Sequence, residues 1–186
     1  MAKMNWFERW MVNRRTGSRA RRVVAILGPH LTLDSASRVL ELGSGGGGLL
    51  AVLHERYHPA RLVGTDFDPD QVRAAEQFLI GRWGSLPASV ELRPADALAL
   101  PFPDRSFDYV FAMAMLHHVE EHLADYSRRP QALQEIRRVL RPGGILVYSD
   151  MFRREEIRRT LDELQYAQLF LHSSWRWDSA IYRSPG

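Results

Sequence analysis

One glutamate, a dense glycine run and two aspartates stand where this chain could do chemistry. In "VLELGSGGGG" (39–48), five of the last six residues are glycine, and Glu41 stands two residues before the first of them. Glycine loses more backbone freedom on folding than any other residue, so the run marks a place where something must approach the backbone closely. It fits two templates. Gly43, Gly45 and Gly48 spell the dinucleotide fingerprint G-x-G-x-x-G, and Glu41, Gly43, Gly45 and Gly47 spell acid-x-G-x-G-x-G. Asp66 follows Gly43 by 23 residues and ends the apolar run "RLVGTD" (61–66). A carboxylate at that place can accept from both hydroxyls of a ribose, which both templates require. Asp96, in "PADALAL", follows a third apolar run and could take the exocyclic amine of an adenine, with Ala97 or Leu98 near the ring; capping a helix is the plainer role for an aspartate there. His117 and His118, in "HHVEEH" (117–122), could each serve as a general base; the plainer reading is a histidine at the start of a helix, packed near the pocket. His118 and His122 have the spacing of metal ligands on a helix, but no third ligand is evident and no metal is expected.

The elements that would hold these residues alternate in type. Strand patterns at 38–42, 61–66, 89–94, 106–113 and 144–150 are separated by helical patterns at 49–57, 69–81 and about 128–140. A last helical stripe joins Ile157, Leu161, Leu164 and Leu171, interrupted at Gln168. Such alternation predicts an α/β fold, a doubly wound, mostly parallel Rossmann-like sheet with helices on both faces. Ligands of such sheets bind beyond the carboxyl ends of the strands, where Glu41, Asp66 and Asp96 fall. Ahead of residue 38, Trp6, Phe7, Trp10 and Met11 share one helical face, and Val23, Val24 and Leu27 another. These define an N-terminal helical cap (1–36), a core (37–172) and a short tail (173–186) within one domain. With Leu171 assigned to the last helix, the tail has room for one short strand at most. The sheet is therefore expected to be shortened at its C-terminal edge, and an open edge admits a homodimer.

Composition narrows the chemistry. The 186 residues are 45% hydrophobic and 25% charged, as in a globular protein with a full core. No apolar run approaches the roughly 20 residues of a membrane span, and the first ten residues lack the apolar core of a signal peptide, so a cytoplasmic protein is expected. Cysteine is absent, which excludes disulfides, thiolate metal sites and cysteine nucleophiles. The net charge of +3 is uneven: residues 1–22 carry seven basic side chains and one acidic, net +6, and the remainder 18 basic and 21 acidic, net −3. That basic segment, interleaved with Trp6, Phe7 and Trp10, admits a role as a lid with its arginines in solvent, contact with a membrane surface, or attraction of nucleic acid.

Four stretches together resemble the class I S-adenosylmethionine-dependent methyltransferases, in the type 11 group that includes ubiquinone and menaquinone biosynthesis enzymes. They are "VLELGSGGG" (39–47), "VGTDFDPDQVRAA" (63–75), "ADALALPFPDRSFDYVFAMAMLHHV" (95–119) and "EIRRVLRPGGILVYSD" (135–150), in family order and at family spacing. The resemblance implies S-adenosyl-L-methionine as cofactor and methyl transfer to a small, apolar or lipid-like molecule. It implies Glu41 near the methionine moiety, where the family often has Asp, and Gly43, Ser44, Gly45 and Gly47 lining the cofactor. Asp66 would hold the ribose hydroxyls, Phe67 would lie beside the adenine, and Asp96 and Ala97 would face its edge. Met113 would lie at the methionine end. The family commonly has histidine at the place of His117 and His118 without a universal base. After the fourth strand the chain reads "AMAMLH" rather than the Asn/Asp-Pro-Pro-aromatic motif of amino-methylating nucleic-acid enzymes, so no nucleic acid is expected as substrate. Two other readings compete: a non-catalytic cofactor-binding module, and a nicotinamide-dependent oxidoreductase, which "LPFPDRSFDYV" and "VLRPGG" disfavour.

Overall fold

The computed structural model describes residues 17–18, 20–122 and 125–186. The aromatic face of Trp6, Phe7, Trp10 and Met11 lies outside the described residues, as does most of the basic segment. Two compact units divide the chain, within Lys3–Ala95 and Asp96–Gly186. Among the described residues no helix is long and apolar enough to cross a membrane.

The first unit opens with helix α1 over residues 20–27, which buries Val24 and Leu27. Strands β1 (Arg38–Leu42), β2 (Arg61–Asp66) and β3 (Val90–Pro94) alternate with helices α2 (Gly48–Tyr57) and α3 (Pro69–Trp83). The strands run parallel in the order β3-β2-β1, with Leu42 opposite Thr65 and Asp66 opposite Pro94. β1 and β2 read as nearly continuous apolar runs because their residues are almost all buried. α2 packs its Leu50 so closely on β2 that a β-carbon at Gly64 would stand 2.4 Å from Leu50 Cδ1. Gly64 is thus the residue that lets helix and sheet meet. α3 starts where Asp68 accepts from the Asp70 amide and Pro69 occupies the first turn, a start signal readable in "DPD".

The second unit holds β4 (Phe107–Met113), α4 (Arg129–Val139), β5 (Leu140–Asp150), α5 (Arg154–Glu163), β6 (Ala167–Ser173) and β7 (Asp178–Arg183). β4 and β5 are parallel, and β7 pairs antiparallel with both β5 and β6, in the order β4-β5-β7-β6. β5 begins four residues earlier than its apolar pattern, since Leu140 pairs with Phe107 before "RPGG" shifts the register.

The expected shortening of the C-terminal edge is corrected here: a complete β6–β7 hairpin is present. α5 does not reach Leu171. The Gln165 amide bonds to Asp162 O and the Tyr166 amide to Leu161 O, with Gln165 left-handed at φ 60°, which is a Schellman stop. That releases "AQLFLHS" as a strand, and Ser174–Trp177 closes the turn by a 2.8 Å bond from the Ser174 amide to Trp177 O. The boundary drawn at 172/173 falls inside this hairpin. Fully buried Asp178 ties the hairpin to α5, accepting from Arg158 Nη1 (2.5 Å), Arg154 Nη1 (3.2 Å) and Ser173 Oγ (2.7 Å).

Candidate functional site

In the first unit, the residues singled out at the carboxyl ends of β1 and β2 come together. Gly43, Gly45 and Gly47 all have positive φ, at 67°, 48° and 76°, so the loop after β1 takes a path that L side chains resist. The Ser44 amide bonds to Thr65 O at 2.8 Å, and Thr65 Oγ1 bonds to Glu41 O at 3.2 Å. Asp66 Oδ2 accepts from the Gly45 amide and Oδ1 from the Asp68 amide, each at 3.0 Å. Asp66 is therefore more than a strand-end acceptor, because it holds the glycine loop. Each of its oxygens keeps a second lone pair for a ligand. A β-carbon at Gly47 would stand 3.2 Å from Ala75 Cβ, whereas one at Gly45 would meet nothing within 4 Å. Gly47 is required by packing against α3, and Gly45 leaves open space above the loop. Gly48 opens α2.

Glu41 is 3% exposed, and its Oε2 has no hydrogen-bond partner; neither has the buried Ser44 Oγ. Burial first, and the charge of Asp66 second, push the Glu41 carboxyl well above the usual carboxylate range, against the Leu50 amide that lowers it. Burial also raises Asp66, against the amides of Asp68 and Gly45. Two carboxyls raised in this way favour a cationic ligand, whose charge would let both ionise. Phe67 is exposed next to Asp66. An orphaned carboxylate oxygen, an orphaned hydroxyl and an open loop suit the ammonium, carboxylate and hydroxyl groups of S-adenosylmethionine.

In the second unit, Asp96 Oδ1 accepts from the Leu98 amide at 2.9 Å, and the Ala99 amide bonds to Asp96 O. This is a turn, and no helix follows it, so the helix-capping role for Asp96 is corrected to a turn cap. Ala97 is buried and Met113, the last residue of β4, half-buried. The two histidine rings lie 4.1 Å apart between centroids but differ in exposure. They lie on a 3₁₀ turn, Leu116–Val119, not at the start of an α-helix. His118 is exposed, while His117 is 7% exposed and packs its ring on Phe152, with centroids 5.2 Å apart. His117 Nδ1 lies 3.0 and 3.1 Å from the two oxygens of Asp150, the last residue of β5.

Asp150, Glu120 and Arg129 were not among the residues expected from sequence. All three are buried. Glu120 accepts from the amides of Arg128 (2.9 Å) and Arg129 (3.0 Å) and from Ser127 Oγ (3.1 Å), so it caps α4 from outside the helix. Burial raises the Glu120 carboxyl, but the Arg129 and Arg128 amides, the Ser127 hydroxyl and the Arg129 charge together hold it below its usual range. Arg129 donates to Phe152 O at 3.3 Å and feels the charges of both Asp150 and Glu120. The one signal for Asp150 was positional: like Asp66, it ends a buried parallel strand.

The methyltransferase domain family matches residues 40–148, more than half of the chain. The chain is 41% identical over 118 residues to the demethylmenaquinone methyltransferase of Thermus thermophilus, covering 63% of this chain and 49% of that protein. It is 38% identical over 120 residues to the fatty-acid O-methyltransferase of Mycolicibacterium smegmatis, covering 64% and 39%. It thus spans about half or less of the length of these curated relatives. Among solved structures, a SAM-dependent methyltransferase from Aquifex aeolicus superposes with a TM-score of 0.77 at 17% identity, over 98% of this chain and 100% of that one, which supports the α/β Rossmann-like fold. Motifs, fold and family match agree that the chain belongs to the class I S-adenosylmethionine-dependent methyltransferases, type 11 group.

Proposed function

We propose that this chain binds S-adenosyl-L-methionine and transfers its methyl group to a small, apolar or lipid-like acceptor. The observation that carries the reading is the buried Glu41, whose partnerless Oε2 stands at the head of a glycine loop with open space at Gly45. Glu41 and Ser44 take the cofactor's amino-acid end, Gly43, Gly45 and Gly47 form its floor, Asp66 takes the ribose hydroxyls and Phe67 flanks the adenine. The resemblance adds Asp96, Ala97 and Met113 to the proposed cofactor-binding residues. When bound, the cofactor supplies an electrophilic methyl group on a sulfonium. What the chain adds is alignment and exclusion of water, and orientation alone can lower a barrier by about 7–11 kcal/mol.

His117, not His118, is the proposed base. It is the histidine held at the carboxyl end of β4 with a carboxylate on its Nδ1. The lipid-like acceptor draws on the relatives, which are named for a demethylmenaquinone and for fatty acids. Contact of the basic residues 1–22 with a membrane surface belongs to the same proposal. A shortened sheet with an open edge would favour a homodimer, and the β6–β7 hairpin removes that ground. The test is methyl transfer from labelled cofactor into a lipid and metabolite extract. Label appearing in an apolar product supports the reading, and no transfer to any component contradicts it.

A further inference from the structure

We propose that Asp150 is the positioning residue for His117, and that the pair fits the chain to an acceptor bearing a neutral hydroxyl. The inference rests on the reading of the chain as a methyltransferase with His117 as base. Asp150 is fixed by backbone before it meets the ring. Its Oδ1 accepts from the amides of Met151 (2.7 Å) and Phe152 (3.2 Å), and its Oδ2 from the amide of His117 (3.3 Å). The buried guanidinium of Arg129 adds a favourable charge. Burial would raise the Asp150 carboxyl, but the hydrogen bond to His117 and the amides of Phe152 and Met151 hold it below its usual range. An ionised carboxylate only accepts, so Nδ1 of His117 must donate. In the neutral ring the lone pair then resides on Nε2, and that nitrogen is the one able to take a proton.

The backbone around the pair is held at some cost. Ala114, between β4 and the histidine turn, is left-handed at φ 56° and donates its amide to Ser149 O at 2.7 Å. Arg153, three residues after Asp150, is left-handed at φ 53°. Left-handed backbone is strained for any residue but glycine, and such strain concentrates at functional sites. Both residues stand just beyond the carboxyl end of a parallel strand, β4 or β5.

A fixed, proton-accepting Nε2 helps only an acceptor that must lose a proton as it reacts. A carboxylate arrives ionised at neutral pH and needs no base. An alcohol or phenol does need one: its O–H bond breaks, the proton goes to Nε2, and the oxygen lone pair forms the new O–CH3 bond as the carbon–sulfur pair stays on sulfur. The products are a methyl ether, a thioether and an imidazolium, which returns its proton to water.

Two measurements on the full chain test this. Long-range nitrogen NMR of the imidazoles should show His117 with Nδ1 protonated and Nε2 bare, and Asp150→Asn should abolish that preference. A wild-type ring protonated on Nε2 overturns the proposal. In the second, labelled S-adenosylmethionine is offered with dodecylphenol or with dodecanoate. The phenol should be methylated, and Asp150→Asn and His117→Gln should each lower its kcat about 100-fold, with KM and S-adenosylhomocysteine affinity little changed. His117→Gln leaves the buried carboxylate and its amide partners in place should Asp150→Asn fold poorly. An unchanged kcat in His117→Gln, or transfer to dodecanoate alone or to neither compound, overturns the proposal. Failure of the wild type to bind S-adenosylhomocysteine would instead contradict the methyltransferase reading, and the tautomer result would stand apart from it.

Discussion

The Gly45 amide lies 3.0 Å from Asp66 Oδ2, so the carboxylate that ends β2 ties down the loop that ends β1. One residue thereby shapes the glycine loop, and in the proposed site its remaining lone pairs face the ligand. Asp66→Ala should weaken S-adenosylhomocysteine binding by about 1.5–3 kcal/mol, or roughly 10- to 150-fold, the usual effect of hydrogen bonds to a charged group. Calorimetric titration of the variant measures it, and an affinity equal to wild type would remove Asp66 from the site.

Glu41 should trade stability for binding. Its folded-state carboxyl titrates above the ordinary value of 4.5, chiefly through burial. Above pH 4.5 the unfolded chain releases a proton that the folded chain retains, so this group makes stability fall as pH rises through the interval between the two values. Glu41→Gln carries no such proton. In the ligand-free protein its Tm should exceed that of wild type at pH 7.5, with the difference shrinking toward pH 4. A variant less stable than wild type at pH 7.5 would show that the carboxyl is not strained by burial.

The glycines of the loop should separate by what they do. Gly47→Ala places a β-carbon 3.2 Å from Ala75 Cβ at a φ of 76°. It should cost about 1–2 kcal/mol of stability from the left-handed backbone alone, with packing strain added. Gly45→Ala carries the same left-handed backbone cost at φ 48° but meets no atom within 4 Å, so it should add no packing strain, and its further loss should appear in cofactor affinity. Denaturant unfolding and calorimetry on the two variants give the comparison, and equal effects on both quantities would deny the division.

Much of the first unit was legible in the sequence because its signals are local. The spacing from Gly43 to Asp66 and the "DPD" start of α3 act over a few residues or one strand–helix–strand unit. The hairpin was misread for a nameable reason: Leu161, Leu164 and Leu171 keep helical spacing, and a left-handed Gln165 carries no glycine to announce a stop. Asp150 is not legible because its partner lies far off in the chain, and Glu120 because it caps α4 from seven to nine residues away, outside any local capping pattern. His117 and Asp150 are 33 residues apart, and a buried aspartate at a strand end looks the same in sequence whether it holds a histidine or a turn.

The hairpin should depend on Asp178. Asp178→Ala leaves Arg154 and Arg158 without their shared carboxylate. Breaking a buried ion pair costs about 3–5 kcal/mol, and the partial exposure of both arginines lowers this to about 2–3 kcal/mol. At about 2–4 °C per kcal/mol for a chain of this size, Tm should fall by roughly 4–12 °C. A shift below about 2 °C would mean that the β6–β7 edge does not need this tie.

The most direct measurement is calorimetric titration of the full chain with S-adenosylhomocysteine and, separately, with NAD. The account predicts saturable binding of S-adenosylhomocysteine, weakened by Asp66→Ala, and no binding of NAD. Binding of NAD with none of S-adenosylhomocysteine would contradict it.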